Sequence, residues 1–408
     1  MMTNTIHKTL SHQSGSYLPS DVTLLLDIVD RDSVNNVPVA QKEALIQTGK
    51  QHYSDMLTLE KAPTAAHEQM YQQALQQGKT RLATDINNLC ATLAAIFSKT
   101  VSVEVPLILV SLVRAGLPIG VLLQRALSDS SAPYSLPSKH YGVSIIRDRG
   151  LDPVAFHKIR QLHPHSPIVF VDGWTGKGAI YGELVRSLAK NPVPSLEPDS
   201  ESTDITNHND GLARDNVFHQ GHGVIPLLTL ADPAGVAWLS ASSDDWLIPS
   251  GLLGCTVSGL ISRTLFSEAS EDLSEGLHRS VIYEELQAYD HSLEFVETVD
   301  AARKQLILEE ADMTLLSTYS APRFTTQAII ENLAERYQVS NINRIKPTIA
   351  EATRAVMRRD PEKVLLASSN HPDTQLLRHL CQQKQVTIEV VGDDILPYQA
   401  VTIIKKRN

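Results

Sequence analysis

Short apolar segments alternate with helical patterns between residues 100 and 240. LILVSLV (107–113) and PIVFVD (167–172) are the clearest of these segments, and YGVSII (141–146) and VIPLLTLAD (224–232) have the same character. Strands that are buried on both faces read as nearly continuous apolar runs. Their alternation with helices therefore predicts an α/β fold with a largely parallel sheet.

The same signals divide the chain. Helical periodicity over residues 41–58 and 67–97 predicts helices that cover this sheet. Past residue 320 the pattern restarts with helices and short strands, so we predict a first domain over residues 1–320 and a second, smaller α/β sandwich over residues 321–408. A polar stretch near 192–220, rich in Pro, Ser, Asp and Asn, is predicted to be an exposed insertion.

Composition narrows the class of protein. The chain has 408 residues, of which 42% are hydrophobic, yet no run approaches the ~18 apolar residues of a membrane span. The first residues lack the apolar core of a secretory signal, so a cytoplasmic protein without membrane contact is expected. The three cysteines, Cys90, Cys255 and Cys381, are far apart and odd in number, which argues against a disulfide framework. Nothing in the sequence determines the oligomeric state.

Charge is distributed unevenly. The formal net charge of the chain is -10. From Arg323 onward there are 13 Lys and Arg and 9 Asp and Glu, whereas the residues before Arg323 include 23 Lys and Arg and 37 Asp and Glu. Affinity for nucleic acid through charge is therefore expected only from the C-terminal part. Ordinary solvated surfaces give similar imbalances, so charge alone does not establish this.

The segment VDGWTGKGAI (171–180) has the features of a phosphate-binding loop. Asp172 ends an apolar strand, and Thr175, Gly176, Lys177 and Gly178 stand where a helix begins. Backbone N–H groups at such a turn point at an anion, and glycines let the backbone approach it. Asp172 is then placed for ribose hydroxyls or a hydrated Mg²⁺. The spacing is neither a Walker A loop nor a dinucleotide GxGxxG, and a plain strand-to-helix turn explains the glycines equally well.

This segment resembles the phosphoribosyltransferase signature. SLVRAGLPIG (111–120) follows an earlier strand and is similar to the family's pyrophosphate loop, with Arg114, Ala115 and Gly116 in the matching positions. The resemblance implies phosphoribosyl pyrophosphate as substrate and Mg²⁺ as cofactor, with Asp172 as the metal ligand. One departure is that Gly173 stands where the family usually has a second acid.

Between these loops, IIRDRGLD (145–152) carries Arg147, Asp148 and Arg149. In the phosphoribosyltransferase family this region is a mobile segment over the substrate. Cations that neutralise a leaving pyrophosphate favour ribosyl transfer, so Arg147 joins Arg114 and Asp172 as a predicted catalytic residue. A solvated charged loop is the alternative interpretation.

A third cluster, DDWLIPSGLLGCTVSGLISRTL (244–265), contains Asp245, Ser258 and Arg263, which are predicted to form an acceptor pocket. Together with GSYLPSDVTLLL (15–26), it resembles a bacterial family of phosphoribosyltransferase-like proteins from tellurite-resistance and stress-response gene clusters. Members of that family are also labelled cysteine protease StiP. The resemblance spans most of residues 14–300.

The protease label requires a nucleophilic cysteine. Cys255 is the candidate, and a cysteine nucleophile needs a base, usually a histidine. The 15 histidines offer candidates such as His140, His157 and His222, but no local signature selects one. A packed small residue is the alternative interpretation of Cys255.

The tail resembles the Pelota-type RNA-binding domain, over residues 342–408. The resemblance implies that RNA is contacted around the start of the first helix and the nearby loops. The residues that we expect there are Arg344, Lys346, Thr348, Arg354 and Asn370. Cations would contact phosphates, while discrimination would need unpaired bases.

Together these features make a phosphoribosyltransferase the leading interpretation, with Mg²⁺, phosphoribosyl pyrophosphate and a base or nucleotide-like acceptor, coupled to RNA binding in a stress response. Two alternatives stay open. One is a non-catalytic ribose-phosphate sensor that binds RNA, and the other is a cysteine hydrolase with Cys255 as nucleophile.

Overall fold

The computed structural model describes residues 13–190, 224–268 and 276–406. A seven-stranded sheet forms the centre of the first domain, with strands in the order β1-β4-β3-β6-β7-β8, and β5 pairs with β4. All pairs along this path are parallel, and only β5 runs antiparallel to its neighbour. The strands are β1 (Thr23–Leu25), β3 (Leu107–Val113), β4 (Ser138–Ile146), β5 (Gly150–Leu151), β6 (Ile168–Trp174), β7 (Leu227–Ala231) and β8 (Leu239–Ser242). A separate parallel pair joins β2 (Asp27–Ile28) to β9 (Arg279–Ser280).

Helices cover both faces of this sheet. One apolar cluster joins β3, β6 and β7 to three helices, and another joins their opposite faces to two more. The helices of the first cluster are α2 (Ala65–Phe97), α3 (Leu117–Leu127) and α6 (Ser292–Leu308), those of the second are α4 (Pro153–Leu162) and α5 (Ala179–Lys190), and α1 (Val39–Gln47) precedes them. Because alternate side chains of a strand point to opposite faces, Leu109 joins the first cluster and Ile108 the second.

The second domain is a smaller four-stranded sheet, in the order β10-β13-β11-β12. Only the β11 and β12 pair is parallel. Its strands are β10 (Ile345–Pro347), β11 (Pro361–Leu366), β12 (Thr387–Val390) and β13 (Ala400–Ile404), and its helices are α7 (Gln327–Arg336), α8 (Ile349–Arg358) and α9 (Gln375–Gln383). The mixed α/β architecture with a mostly parallel first sheet and a small second one is confirmed, while the domain boundary at residue 320 stays a prediction.

Local corrections concern the edges of elements. The helix predicted over residues 41–58 ends at Gln47, because Gly49 takes a positive φ of 69° and a short 3₁₀ turn, Tyr53–Asp55, follows. The insertion near 192–220 lies outside the described residues. Cys90, Cys255 and Cys381 are all free and buried.

The two domains are in contact through α8. Asp245 of the first domain accepts hydrogen bonds from the backbone N–H of Ile349, at 2.9 Å, and of Gln399, at 2.8 Å. Ala350 packs against Gly251, where an added Cβ would lie 3.2 Å away. The start of α8 is thus held by a carboxylate, which suits the positive end of a helix. Among the described residues, no helix is both long and apolar enough to cross a membrane.

Candidate active site and interdomain cleft

The two loops predicted from sequence meet at one edge of the first sheet. β3 and β6 are adjacent and parallel, so their carboxyl ends lie side by side. Arg114 and Ala115 after β3 line a pocket of about 280 Å³ together with Asp172, Thr175 and Gly176 of the β6 region. Arg147 and Lys177 line this pocket too. We call it the small pocket.

The polar side chains of these loops already have protein partners. Thr175 Oγ1 donates to Asp232 Oδ1 at 2.6 Å, and Lys177 Nζ donates to the carbonyl oxygens of Ile342 and Ile345 at 2.7 and 2.9 Å. Gly116 allows close packing, since a Cβ there would lie 2.1 Å from the carbonyl oxygen of Val171. These residue types therefore have structural explanations in this chain.

Asp172 is buried in the small pocket. Burial raises the pKa of its carboxyl to about 7, and Oδ1 accepts the N–H of Gly173 at 2.8 Å. Among the described residues, no group of three or more His, Cys, Asp or Glu could hold a metal ion. The magnesium site at Asp172 stays a prediction.

The second domain covers the loop after β6. Glu351 of α8 lies against Gly176, where an added Cβ would be 2.8 Å from its Oε1. The Arg354 guanidinium lies over the Trp174 ring, 5.1 Å from its centroid. Tyr398 donates from its hydroxyl to the carbonyl oxygen of Gly176 at 2.6 Å. A carboxylate of the same chain therefore approaches the loop where the sequence predicts a phosphate.

The residues predicted for the mobile segment and for the acceptor pocket lie in several different places. Arg149 pairs with Asp55 at 2.9 Å, and Ser258 donates to the carbonyl oxygen of Gly254 at 2.8 Å. Ser258 and the interface residue Asp245 line neither the small pocket nor the larger cavity described next. Asp148 and Arg263 both line that larger cavity. No common acceptor pocket unites the five predicted residues among the cavities described.

The larger cavity lies between the domains and has a volume of about 1100 Å³. We call it the interdomain cleft. Its walls are α1 and the segment 58–67 of the first domain, the loop 252–256, and residues from 341–346, 357–359 and 376–384 of the second domain. Cys255 and His67 both line it.

Cys255 begins a 3₁₀ turn, Cys255–Val257, at the wall of the cleft. Only 1% of the residue is exposed, and its N–H donates to Glu60 Oε2 at 2.8 Å. Burial and then the negative charge of Glu60 raise the pKa of the Cys255 thiol to about 12. The thiol is therefore neutral in this structure, because burial and Glu60 outweigh the Arg114 and Arg358 charges that lower its pKa.

Glu60 forms a charged cluster behind this cysteine. Its Oε1 pairs with Arg114 Nη2 at 2.5 Å, and its Oε2 lies 3.5 Å from Arg358 Nη2 of the second domain. Burial opposes the ionisation of Glu60, but Arg114 and then Arg358 outweigh it, so the pKa of Glu60 lies below its ordinary value. Arg114, predicted to bind pyrophosphate, instead pairs with a carboxylate here.

His67 stands in the first turn of α2, which Thr64 caps. Its Nε2 lies 3.0 Å from the carbonyl oxygen of Leu252, three residues before the cysteine. Because a carbonyl only accepts, Nε2 carries the proton and Nδ1 keeps its lone pair. Burial lowers the pKa of His67, so the imidazole is neutral and able to accept a proton.

The histidines proposed from the sequence lie elsewhere. Both ring nitrogens of His140 are engaged, with the Asp21 carbonyl and Ser111 Oγ each at 2.7 Å. His157 is exposed on α4 and does not line the cleft, and His222 lies outside the described residues. Sequence reasoning missed His67 because only the fold brings it to residue 252.

A model of the family described as tellurite-like stress resistance cysteine protease StiP matches residues 15–300. A relative named cysteine protease StiP, from Acinetobacter baylyi (strain ATCC 33305 / BD413 / ADP1), is 43% identical over 400 residues, covering 96% of this chain and 94% of the relative. The chain belongs to the StiP family.

Membership of the StiP family overturns the leading interpretation of the sequence. Both the family and the relative are described as cysteine proteases, which are hydrolases, whereas a phosphoribosyltransferase is a transferase. The prediction of a phosphoribosyltransferase was therefore wrong, and phosphoribosyl pyrophosphate has no support as a partner. The cysteine hydrolase that the sequence left as an alternative fits better.

The second part of this StiP-family chain also matches a known domain. Residues 324–406 match the model of the PELOTA RNA binding domain, which suggests RNA binding by this part of the protein. No solved structure matches the chain.

Most of the predicted RNA-binding residues face the first domain. Lys346 is 8% exposed, and both Lys346 and Arg344 line the interdomain cleft. The Nη2 atom of Arg344 pairs with Glu362 at 3.0 Å. Thr348 caps α8 by accepting the N–H of Glu351 at 3.2 Å, and Arg354 lines the small pocket. Asn370 alone of the five is exposed. Their role in RNA binding stays a prediction.

Proposed function

We propose that this protein is a cysteine protease in which Cys255 is the nucleophile and His67 is the general base. The observation that carries the proposal is that Cys255 and a neutral His67 line one cleft, with the Nε2 of His67 bonded to the Leu252 carbonyl. This bond leaves Nδ1 as the proton acceptor that a cysteine nucleophile needs.

The chemistry follows from these two groups. The thiol proton of Cys255 moves to His67 Nδ1, and the sulfur attacks the carbonyl carbon of a peptide bond. The bond between carbon and nitrogen breaks as His67 returns the proton to the leaving amine, and a thioester remains. Water, deprotonated by His67, then releases the acid and restores the thiol. Arg358, which lines the same cleft, is a cation that can neutralise developing negative charge.

Glu60 explains why the described state is a resting one. Burial is the largest cause of the raised pKa of the Cys255 thiol, and the neighbouring negative charge of Glu60 is the second. Because the thiolate is the reactive form, hydrolysis requires that peptide binding bring the Cys255 proton within reach of His67. The proposal thus includes a cysteine that reacts slowly until substrate enters the cleft.

The other parts of the proposal concern fold, RNA and location. A phosphoribosyltransferase-like arrangement of the first domain is supported by the parallel order β4-β3-β6-β7, with both loops at one sheet edge. RNA binding by the second domain is supported by its family match. The proposal also includes the cytoplasmic location that the sequence predicts.

The test compares two cysteine variants of the full chain. Hydrolysis of fluorescein-labelled denatured casein and labelling by a peptidyl thiol-directed probe are measured for wild type, Cys255→Ala and Cys381→Ala. We expect Cys255→Ala to lose both signals and Cys381→Ala, which changes another buried cysteine outside the cleft, to keep both. Hydrolysis that persists at the wild-type rate in Cys255→Ala would falsify the proposal.

A further inference from the structure

The interdomain cleft is strongly basic in an acidic protein. Nine Lys and Arg line it against three Asp and Glu, although the formal net charge of the chain is -10. The basic residues are Lys42, Lys61, Arg147, Arg263, Arg344, Lys346, Arg358, Arg359 and Lys384, and the acidic residues are Glu43, Glu60 and Asp148. A cleft lined by one sign of charge focuses the field and concentrates ligands of the opposite sign.

Lys346 is a lysine without a hydrogen-bond or ion-pair partner among the described residues of this cleft. The residue is 8% exposed, and no hydrogen bond or ion pair joins its Nζ to another described residue. Other lysines of the region behave differently, since Lys384 Nζ donates to the carbonyl oxygens of Val356 and Met357 at 2.6 and 3.0 Å. The Glu351 carboxylate favours its charged form without a direct contact. An ammonium group in a mostly buried wall without a direct partner is costly, so a ligand with negative charge is the expected partner of Lys346.

The size of the cleft and its lining indicate the kind of anion. Its volume of about 1100 Å³ exceeds the ~300–1,000 Å³ of most small-molecule sites. The domain that supplies Lys346 and Arg358 is the one that matches an RNA-binding family. Tyr53 and His379 also line the cleft, and aromatic rings are the surfaces on which unpaired bases stack.

We propose that the interdomain cleft binds a single-stranded RNA segment, and that bound RNA and a peptide substrate exclude each other at Cys255. Phosphates contact Lys346 within the cleft and Lys61, which is exposed to solvent at its edge. The exclusion rests on the proposed protease function, whereas the RNA site does not. The site thus extends beyond the second domain and includes Lys61 and Lys42 of the first.

Two physical effects produce the exclusion. RNA fills the space beside Cys255, so a peptide carbonyl has no room to approach the sulfur. Phosphate charge beside Arg358 also offsets a cation that lowers the pKa of the Cys255 thiol, which keeps the thiol protonated. RNA is therefore an inhibitor of the proposed protease, and its release opens the cleft to a peptide.

The first experiment locates the RNA site. Binding of fluorescein-labelled oligouridylate of about ten nucleotides to the full chain is followed by anisotropy at several salt concentrations. We expect Lys346→Gln and Lys61→Gln each to weaken binding about 5- to 10-fold and to reduce the salt slope by about one. Lys158→Gln removes the same charge from the exposed face of α4, outside the cleft, and is expected to bind as wild type.

The second experiment tests exclusion. Alkylation of Cys255 by iodoacetamide is followed by mass spectrometry with and without the oligouridylate, alongside casein hydrolysis. In wild type, RNA is expected to slow both the alkylation and the hydrolysis at least about 10-fold. In Lys346→Gln, the same effect is expected only at a higher RNA concentration. RNA that binds both lysine variants with unchanged affinity overturns the site. RNA that binds without protecting Cys255 overturns the exclusion. Protection of Cys255 in a chain that hydrolyses nothing overturns the protease proposal alone.

Discussion

Glu60 joins Cys255 to the second domain. Its Oε2 accepts the N–H of Cys255 at 2.8 Å and lies 3.5 Å from Arg358 Nη2, while its Oε1 pairs with Arg114. One half-buried carboxylate therefore connects the candidate nucleophile, the loop after β3 and helix α8.

Replacing Glu60 by Gln should make Cys255 more acidic and the protein less stable. The substitution removes a negative charge that raises the pKa of the thiol, so the midpoint of Cys255 alkylation shifts to lower pH. It also leaves Arg114 buried without a counter-ion, which costs roughly 3–5 kcal/mol of unfolding free energy. Alkylation rates against pH and urea unfolding measure the two effects.

A matched control for this change is Glu68→Gln. Glu68 is partly exposed and pairs with His291 at 3.4 Å, so its loss should cost less than about 1 kcal/mol.

Because the pKa of Glu60 lies below its ordinary value, its contribution to stability is present above pH 4.5 and is lost as the pH falls. An unchanged alkylation midpoint in Glu60→Gln would contradict the role given to this charge.

Replacing His67 by Gln should abolish hydrolysis while the fold remains. A Gln side chain can still donate to the Leu252 carbonyl but cannot take the proton from Cys255, so kcat should fall about 10²- to 10⁴-fold. His157→Gln, on the exposed face of α4, should retain the wild-type kcat. Equal rates for the two variants would exclude His67 as the base.

Replacing Lys346 by Met should stabilise the protein near neutral pH. Burial lowers the pKa of this lysine from 10.5 to about 7. Above pH 10.5 the amine is neutral in both the folded and the unfolded chain. As the pH falls from 10.5 toward 7, only the unfolded chain takes up the proton, so the folded protein loses stability. At pH 7.5 the variant should therefore be roughly 1–3 kcal/mol more stable, with a flatter pH profile between 7 and 10.

Urea unfolding of Lys346→Met over this pH range measures the effect, with Lys158→Met as the exposed control. A loss of stability at pH 7.5 would mean that Lys346 has a stabilising partner, which would also weaken its assignment to RNA. A gain in stability with a loss of RNA affinity is the signature of a residue retained for binding.

Replacing Gly116 by Ala should disrupt the sheet edge. A Cβ at 116 would lie 2.1 Å from the backbone oxygen of Val171, and backbone cannot yield as a side chain does. We expect a loss of roughly 3 kcal/mol in unfolding free energy, measured by urea unfolding. In Gly182→Ala, within α5, the added Cβ would lie 3.5 Å from Arg186 Nη1, at the flexible end of a side chain, so the variant should be neutral or stabilising. Similar stabilities for both variants would show that position 116 tolerates a side chain.

Sequence patterns predicted the elements of this fold well because they depend on local order. The strand over 107–113 was predicted at the bounds that the structure has, and the adjacent parallel strands bring Arg114 and Asp172 to one edge. The function was predicted less well. The loop over 171–180 has the composition of a phosphate site, yet its side chains bond to Asp232 and to the second domain.

The sequence by itself determined the mixed α/β architecture with a mostly parallel first sheet, since this follows from periodicity and spacing. Cys255 became a candidate nucleophile through the resemblance to the StiP family. Only the tertiary structure decided the neighbours of Cys255, because Glu60 and His67 are nearly two hundred residues away along the chain. The tertiary structure likewise placed Lys346 in the wall of the same cleft. Contacts at such separations depend on how helices and sheets pack, which local patterns do not encode.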